Sequence, residues 1–172
     1  KINIPSYYKP SQSVQVTEAI GAINRGDNAG QFINLANGVK LDGINPTMME
    51  HLKGMIQEYG ELTGKAVTIT SGSRSRQDQE RLFKQNPNKA AKPGNSLHEF
   101  GLAVDLDSSA LNEMEKLGLM RKYGFTRPVG GEPWHIEAAG IQANIKGAKE
   151  NASLADQLIA ASINKGGGGV GT

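Results

Sequence analysis

The chain has 172 residues, a length that suits one compact domain with short appendages and a sizeable buried core. Nineteen basic and seventeen acidic side chains leave a net charge of +2 without any block of like charge, so electrostatics gives no reason to expect nucleic acid or an anionic membrane as partner. There is no cysteine, which excludes disulfides, thiolate zinc sites and cysteine nucleophiles; a metal would have to be held by His, Asp or Glu.

Residues 1–33 carry Pro5, Pro10 and scattered Ser, Gly and Asn around one weakly apolar stretch, Val14 to Ile23, which reads as a short helix in a linker-like extension. Asn45 followed by Pro46 marks a helix start, and Met48, Leu52, Met55, Tyr59 and Leu62 recur at three- and four-residue steps up to Gly64, the pattern of a core-facing helix. Val67 and Ile69 then alternate with Thr68 and Thr70 as in a strand, running into the turn Ser71-Gly72-Ser73. Ser75 with Asp78 resembles a capping box opening a short helix that contains Leu82 and Phe83 and stops before Pro87. A polar loop leads to Ser96. From Gly101 to Asp107, Leu102, Val104 and Leu106 point one way while Ala103 and Asp105 point the other, which sets a carboxylate opposite an apolar face. Leu111, Met114 and Leu117 mark a further helix, with Ser108 or Ser109 as cap and Gly124 at its end. Trp134 and Ile136 alternate with His135 and Glu137 in a short strand, which sends Trp134 into the core on the side opposite His135. Ile141 to Ile163 has the composition of a helix, before Gly166–Gly169 reads as a linker. Helices alternating with strands predict an α+β fold, a small mainly antiparallel or mixed sheet with packed helices.

The domain organisation expected from this is an N-terminal extension over 1–33, a folded domain over 34–140, a C-terminal helix over 141–165 and a Gly-rich tail over 166–172. No segment approaches the roughly 20 apolar residues of a membrane span. The start at Lys1, with neither an initiator Met nor a signal-peptide core, reads as a piece of a longer or processed polypeptide.

Only three histidines are present, His51, His98 and His135. His51 falls at the edge of its helix's apolar stripe and reads as a boundary residue. His98 lies in Ser96-Leu97-His98-Glu99-Phe100-Gly101-Leu102-Ala103-Val104-Asp105, and His135 closes Glu132-Pro133-Trp134-His135. A catalytic zinc takes about three protein ligands and keeps one position open, and two imidazoles with one carboxylate meet that need. His98, Asp105 and His135 fit it, although the same set also suits other divalent ions.

The pattern SxHxxGxAxD followed by ExWH, with SGxRS upstream at Ser71 to Ser75, resembles the zinc D-alanyl-D-alanine carboxypeptidase and dipeptidase family. Its relatives include the vancomycin-resistance peptidases, phage L-alanyl-D-glutamate endopeptidases and the hedgehog signalling domain. The resemblance extends over residues 34–140 and implies a fold of that type, with Zn2+ bound by His98, Asp105 and His135. It also implies Glu132 as general base and Arg74 as the group that stabilises the developing oxyanion. Arg76 and Arg81 lie close enough in sequence to compete for that last role. Ser96 either orients substrate or fixes its loop, and Glu137 either partners the second nitrogen of His135 or is solvated. The departure is Ser73, where members of the family often carry an aromatic residue, so the substrate-facing wall is where this chain would differ.

The resemblance implies a zinc metallopeptidase that hydrolyses amide bonds of peptidoglycan stem peptides or cross-links, as endopeptidase or carboxypeptidase. It would act at the bacterial cell wall, with no nucleic-acid partner and no membrane insertion expected from the charge balance and the lack of a long apolar segment. The cysteine-free composition and a domain cut from a longer chain fit a phage-type lytic or virion-associated enzyme better than a resident bacterial carboxypeptidase. The alternative is a zinc-containing binding or structural module that has lost catalysis.

Overall fold

The computed structural model describes residues 31–167. The expected helix at Val14–Ile23 lies outside the described residues. Five strands form one mixed sheet: β1 (Ile33–Leu35), β2 (Val67–Ser71), β3 (Val104–Leu106), β4 (Phe125–Thr126) and β5 (His135–Ala138), in the spatial order β1-β2-β3-β5-β4. The β1–β2 pair is parallel and the other three are antiparallel. Six α-helices are present among the described residues: α1 (Pro46–Thr63), α2 (Arg76–Gln85), α3 (Ser108–Lys116), α4 (Leu119–Lys122), α5 (Ile145–Glu150) and α6 (Ala152–Ala160). The α+β expectation matches this architecture.

Helix α1 starts where its sequence says it should. The Asn45 side chain accepts hydrogen bonds from the Thr47 and Met48 amides at 2.9 and 3.1 Å, Pro46 occupies the first helical turn, and Gly64 ends the helix in the left-handed region at φ 70°. Met48, Leu52, Met55 and Tyr59 are buried as their spacing predicts, but Leu62, in the last turn, is exposed. Burial also extends to the helix's other flank, through Met49, His51 and Ile56, because α1 packs against α4 and α6. His51 is therefore not a boundary residue: it is 1% exposed.

Further differences from the sequence reading have local causes. The N-cap of α3 is Asp107, whose carboxylate accepts from the Ser109 amide at 3.0 Å, in place of Ser108 or Ser109. The helix expected to run on to Gly124 breaks at Gly118, where φ is 75°. The expected helix over Ile141–Ile163 is a 3-10 turn (Ile141–Asn144) followed by α5 and α6, divided at Asn151, whose extended backbone and side-chain bond to the Leu154 amide cap α6 anew. Asp156 of α6 accepts from both the Asn45 amide group and the Thr47 hydroxyl at 3.0 Å, tying the C-terminal helices to the start of α1. Gly166, at the head of the glycine run, is buried against the backbone of Phe125, and the Gly167 amide donates to Phe125 O at 2.8 Å.

The register of the sheet positions the site. Val104 and Ile136 pair across β3–β5 on the apolar face, while Asp105 pairs with His135 on the opposite face. In β2, Ile69 pairs with the apolar Leu106, yet Ser71, two residues on, pairs with Asp105. In a regular strand residues two apart share a face; the irregularity between Ile69 and Ser71 moves Ser71 to the polar side. Ser71, Asp105 and His135 thus form one row across three strands.

Candidate active site

His98 lies in a 3-10 turn, Leu97–Phe100, that ends at Gly101 with φ 68°. Only glycine fits there, because a Cβ at Gly101 would sit 2.1 Å from the carbonyl oxygen of Gly43. The turn is held from behind by Glu99, whose buried carboxylate accepts from the amides of Gly94 and Ser96 and from Arg76 Nε. His98 Nδ1 donates to Gly72 O at 2.9 Å, which fixes the ring and turns Nε2 toward Asp105 Oδ1, 3.2 Å away. From β5, His135 Nδ1 approaches the same oxygen to 3.0 Å. The two rings meet edge to face, with centroids 5.2 Å apart. One donor atom from each of His98, Asp105 and His135 lies within 4.8 Å of the others.

This donor set fits a divalent ion of the zinc type. It offers two imidazoles and one carboxylate, and the far nitrogen of each imidazole is already engaged, by Gly72 O for His98 and by Glu137 for His135. The three groups and Glu137 also set one another's ionisation. Burial pushes the Asp105 carboxyl up, but the hydrogen bonds from His135 and His98 outweigh it and bring it down to about 2. Burial pulls His135 down, but its bonds to Asp105 and Glu137 prevail and raise it to about 9. Of the alternatives open for Glu137, the structure takes the first: it is 2% exposed and accepts from His135 Nε2 at 2.7 Å.

The triad opens onto a cleft of about 420 Å³ whose walls include Arg74, Gln79, Ser96, Glu132, Trp134 and Ile145. His98, Asp105, His135, Glu132, Arg74 and Ser96 therefore border one space. Glu132 reaches it from a turn in which its amide donates to Val129 O at 3.2 Å and its carbonyl accepts from the His135 amide at 3.1 Å. Ser96 is buried, and its amide is bonded to Glu99. Of the three neighbouring arginines, Arg74 borders the cleft, whereas Arg76 pairs with Glu99 and Arg81 with Asp78. Ser73 faces a neighbouring hollow instead of the cleft, with its hydroxyl and amide both bonded to Lys40 O. Trp134 corrects the sequence reading: it is 42% exposed at the cleft rim. Strand β5 begins only at His135, so strand alternation does not govern the residue before it.

Three site residues escaped the sequence reading. Gln79 is buried in α2, accepts from Arg74 Nη1 at 2.8 Å and donates to Ala91 O at 2.7 Å; with Ser71 Oγ, 2.9 Å from Arg74 Nη2, it fixes the guanidinium. Gln142 donates to Glu137 at 2.6 Å. Arg127 is 3% exposed and ties the loop before β5 to α3 through Glu115, Asn112 and Pro133 O. Of the three, only Gln79 carries a sequence signal, its place in the first turns of the helix that follows Arg74.

Residues 42–127, half of the chain, match the family model described as "VanY: D-alanyl-D-alanine carboxypeptidase". The chain belongs to this family. The matched region contains Arg74, Ser96, His98 and Asp105 and ends before Glu132 and His135. No curated protein matches significantly. Among solved structures, VanYB in complex with D-alanine-D-alanine is 21% identical, covers 74% of this chain and 90% of its own, and has a TM-score of 0.47. The LD-carboxypeptidase LdcB is 22% identical with a TM-score of 0.49, covering 73% of this chain and 70% of its own. DacB from Streptococcus pneumoniae is 27% identical with a TM-score of 0.44, covering 67% and 74%.

Proposed function

We propose that this member of the D-alanyl-D-alanine carboxypeptidase family is a zinc-dependent peptidase that hydrolyses amide bonds of bacterial peptidoglycan stem peptides or cross-links, acting at the cell wall. The observation that carries the reading is the convergence of His98, Asp105 and His135 in the cleft that also holds Glu132 and Arg74. Family membership supports the substrate class.

His98 Nε2, Asp105 and His135 Nδ1 would hold the ion, whose Lewis acidity makes a water nucleophilic near neutral pH and polarises the scissile carbonyl. Glu132 takes the proton from the attacking water and passes it to the departing amine nitrogen, so the bond breaks without a covalent enzyme intermediate. Arg74 faces the negative charge that grows on the carbonyl oxygen. Its anchors on Ser71 and Gln79 fix the guanidinium beforehand and leave further N–H donors for substrate. Ser96, at the cleft wall, orients the peptide.

No described helix is long and apolar enough to cross a membrane. Incubating the zinc-loaded protein with purified cross-linked and uncross-linked muropeptides, followed by mass spectrometry, tests the reading. Loss of a terminal alanine identifies a carboxypeptidase, and separation of stem or bridge fragments an endopeptidase. Glu132→Gln should lower turnover by about 10²- to 10⁴-fold while zinc stays bound. Full zinc occupancy with no product from any wall type would refute the enzyme reading.

A further inference from the structure

We propose that Glu137 and Gln142 form a positioning pair that sets the ring of His135 and thereby the affinity of the site for its metal, a role that rests on the zinc reading above. Both lie beyond residues 42–127, the part of the chain that carries the family match.

The geometry is specific. His135 Nε2–H donates to Glu137 Oε2 at 2.7 Å, and the other oxygen of the same carboxylate accepts from Gln142 Nε2 at 2.6 Å. Glu137 stands behind the imidazole, on the nitrogen that faces away from Asp105, so it is a partner of the ring and not a further ligand. It is two residues from His135 in β5, which puts both side chains on one face of the strand. A carboxylate that is 2% exposed is costly unless its oxygens are satisfied, and here both are. Packing against Thr126, its partner across the β4–β5 ladder, would be served by a neutral residue. The carboxylate is explained by what it does to His135: it keeps the proton on Nε2, directs Nδ1 at Asp105 and raises the basicity of the ring.

Gln142 adds a second constraint. The terminal torsion of a glutamate is broad, so one hydrogen bond leaves the plane of the carboxylate loosely set. Gln142 pins the second oxygen from the 3-10 turn Ile141–Asn144, at an exposed position. The C-terminal segment thus reaches the metal centre through an amide, a carboxylate and an imidazole in series.

The test measures zinc affinity of the full chain by competition with a chromophoric chelator, together with the visible absorption spectrum of the Co2+-substituted protein. Glu137→Ala should weaken zinc by about ten- to a hundredfold, and Glu137→Gln, which can still accept from Nε2–H, should recover most of that loss. Gln142→Ala should weaken zinc by about severalfold. The double variant should be no weaker than Glu137→Ala alone, because Gln142 acts only through Glu137. The Co2+ spectrum should shift in Glu137→Ala, a change that a packing defect remote from the ligands would not produce. Parental zinc affinity and spectrum in Glu137→Ala overturn the proposal, as do additive losses in the double variant. Should Glu137→Ala fail to fold, the exposed Gln142→Ala decides, with unchanged affinity overturning the proposal. A parent chain that takes up no zinc overturns the zinc reading and this inference together; a parent that binds zinc alongside unaffected variants overturns only the inference.

Discussion

Asp105 and His135 stand directly opposite each other in the β3–β5 ladder, and Asp105 Oδ1 lies 3.0 Å from His135 Nδ1. The nitrogen that would bind a metal is thus also the nitrogen that shares a proton with a carboxylate. His135 is raised to about 9 by Asp105 and Glu137 against the pull of burial, while Asp105 stays ionised down to about 2. Below about pH 9 a proton therefore competes with the metal for Nδ1. Zinc affinity should fall about tenfold for each pH unit below that point, the slope of one released proton. Chelator competition at several pH values between ~6 and ~9 measures it. A flat profile would show that His135 does not exchange a proton for metal.

Gly101 and Gly118 both have positive φ, 68° and 75°, but a Cβ at Gly118 meets nothing within 4 Å while one at Gly101 would meet Gly43 O at 2.1 Å. Gly118→Ala should therefore cost only the left-handed penalty, about 1 kcal/mol. Gly101→Ala carries the same penalty and must also displace backbone. It should cost about 3 kcal/mol or more, and it should weaken zinc because the turn it ends holds His98. Denaturant unfolding of the two variants makes the comparison, and equal losses would contradict the crowding argument.

His51 offers a different pH dependence. Both its ring nitrogens are buried, and neither makes a hydrogen bond of good geometry. Burial lowers it to about 4 against smaller opposing contributions from the Tyr123 backbone and the Glu50 carboxylate. The unfolded chain, in which the ring titrates near its ordinary 6.5, binds more protons than the folded one between these values. Stability from this residue is thus complete above about pH 6.5 and declines as pH falls toward about 4, by about 3 kcal/mol. His51→Leu should flatten the unfolding free energy across that window relative to the parent. An unchanged slope would remove His51 as the cause.

What was legible in the sequence is what short-range rules govern. The apolar period from Met48 to Tyr59 and the alternation through Val67–Ile69 and Leu102–Leu106 report burial one residue at a time, and His98, Asp105 and His135 stand in fixed local patterns. What was not legible depends on partners far along the chain. Strands β1 and β4 have three and two residues, and only the neighbours they pair with make them strands. His51 is buried because α4 and α6 cover a flank that the periodicity of α1 leaves open. Gln142 gains meaning only once the turn after β5 brings it to Glu137. Trp134 and the division of the C-terminal helix at Asn151 turn on where an element begins or ends, which periodicity locates poorly.

Arg127 shows how such a distant partner bears on the reaction. Its guanidinium pairs with Glu115 at 3.0 Å through Nη2 and at 3.3 Å through Nε, while Nη1 reaches Asn112 Oδ1 at 2.9 Å and Pro133 O at 3.2 Å. Pro133 follows Glu132 directly, so this fork fixes the backbone beside the proposed base. Arg127→Ala removes that restraint and strips the partly buried Glu115 of its cation, which should cost about 2 kcal/mol of stability. Arg127→Lys restores the charge but not the planar fork, so it should regain part of the stability while Glu132 stays less well placed. Both variants should therefore show kcat reduced more than KM, with zinc affinity near that of the parent, since the metal ligands sit on β3, β5 and the Leu97–Phe100 turn. Unfolding curves, muropeptide kinetics and chelator competition on the same samples separate these effects. Full kcat in Arg127→Ala would mean that the loop holds Glu132 without it.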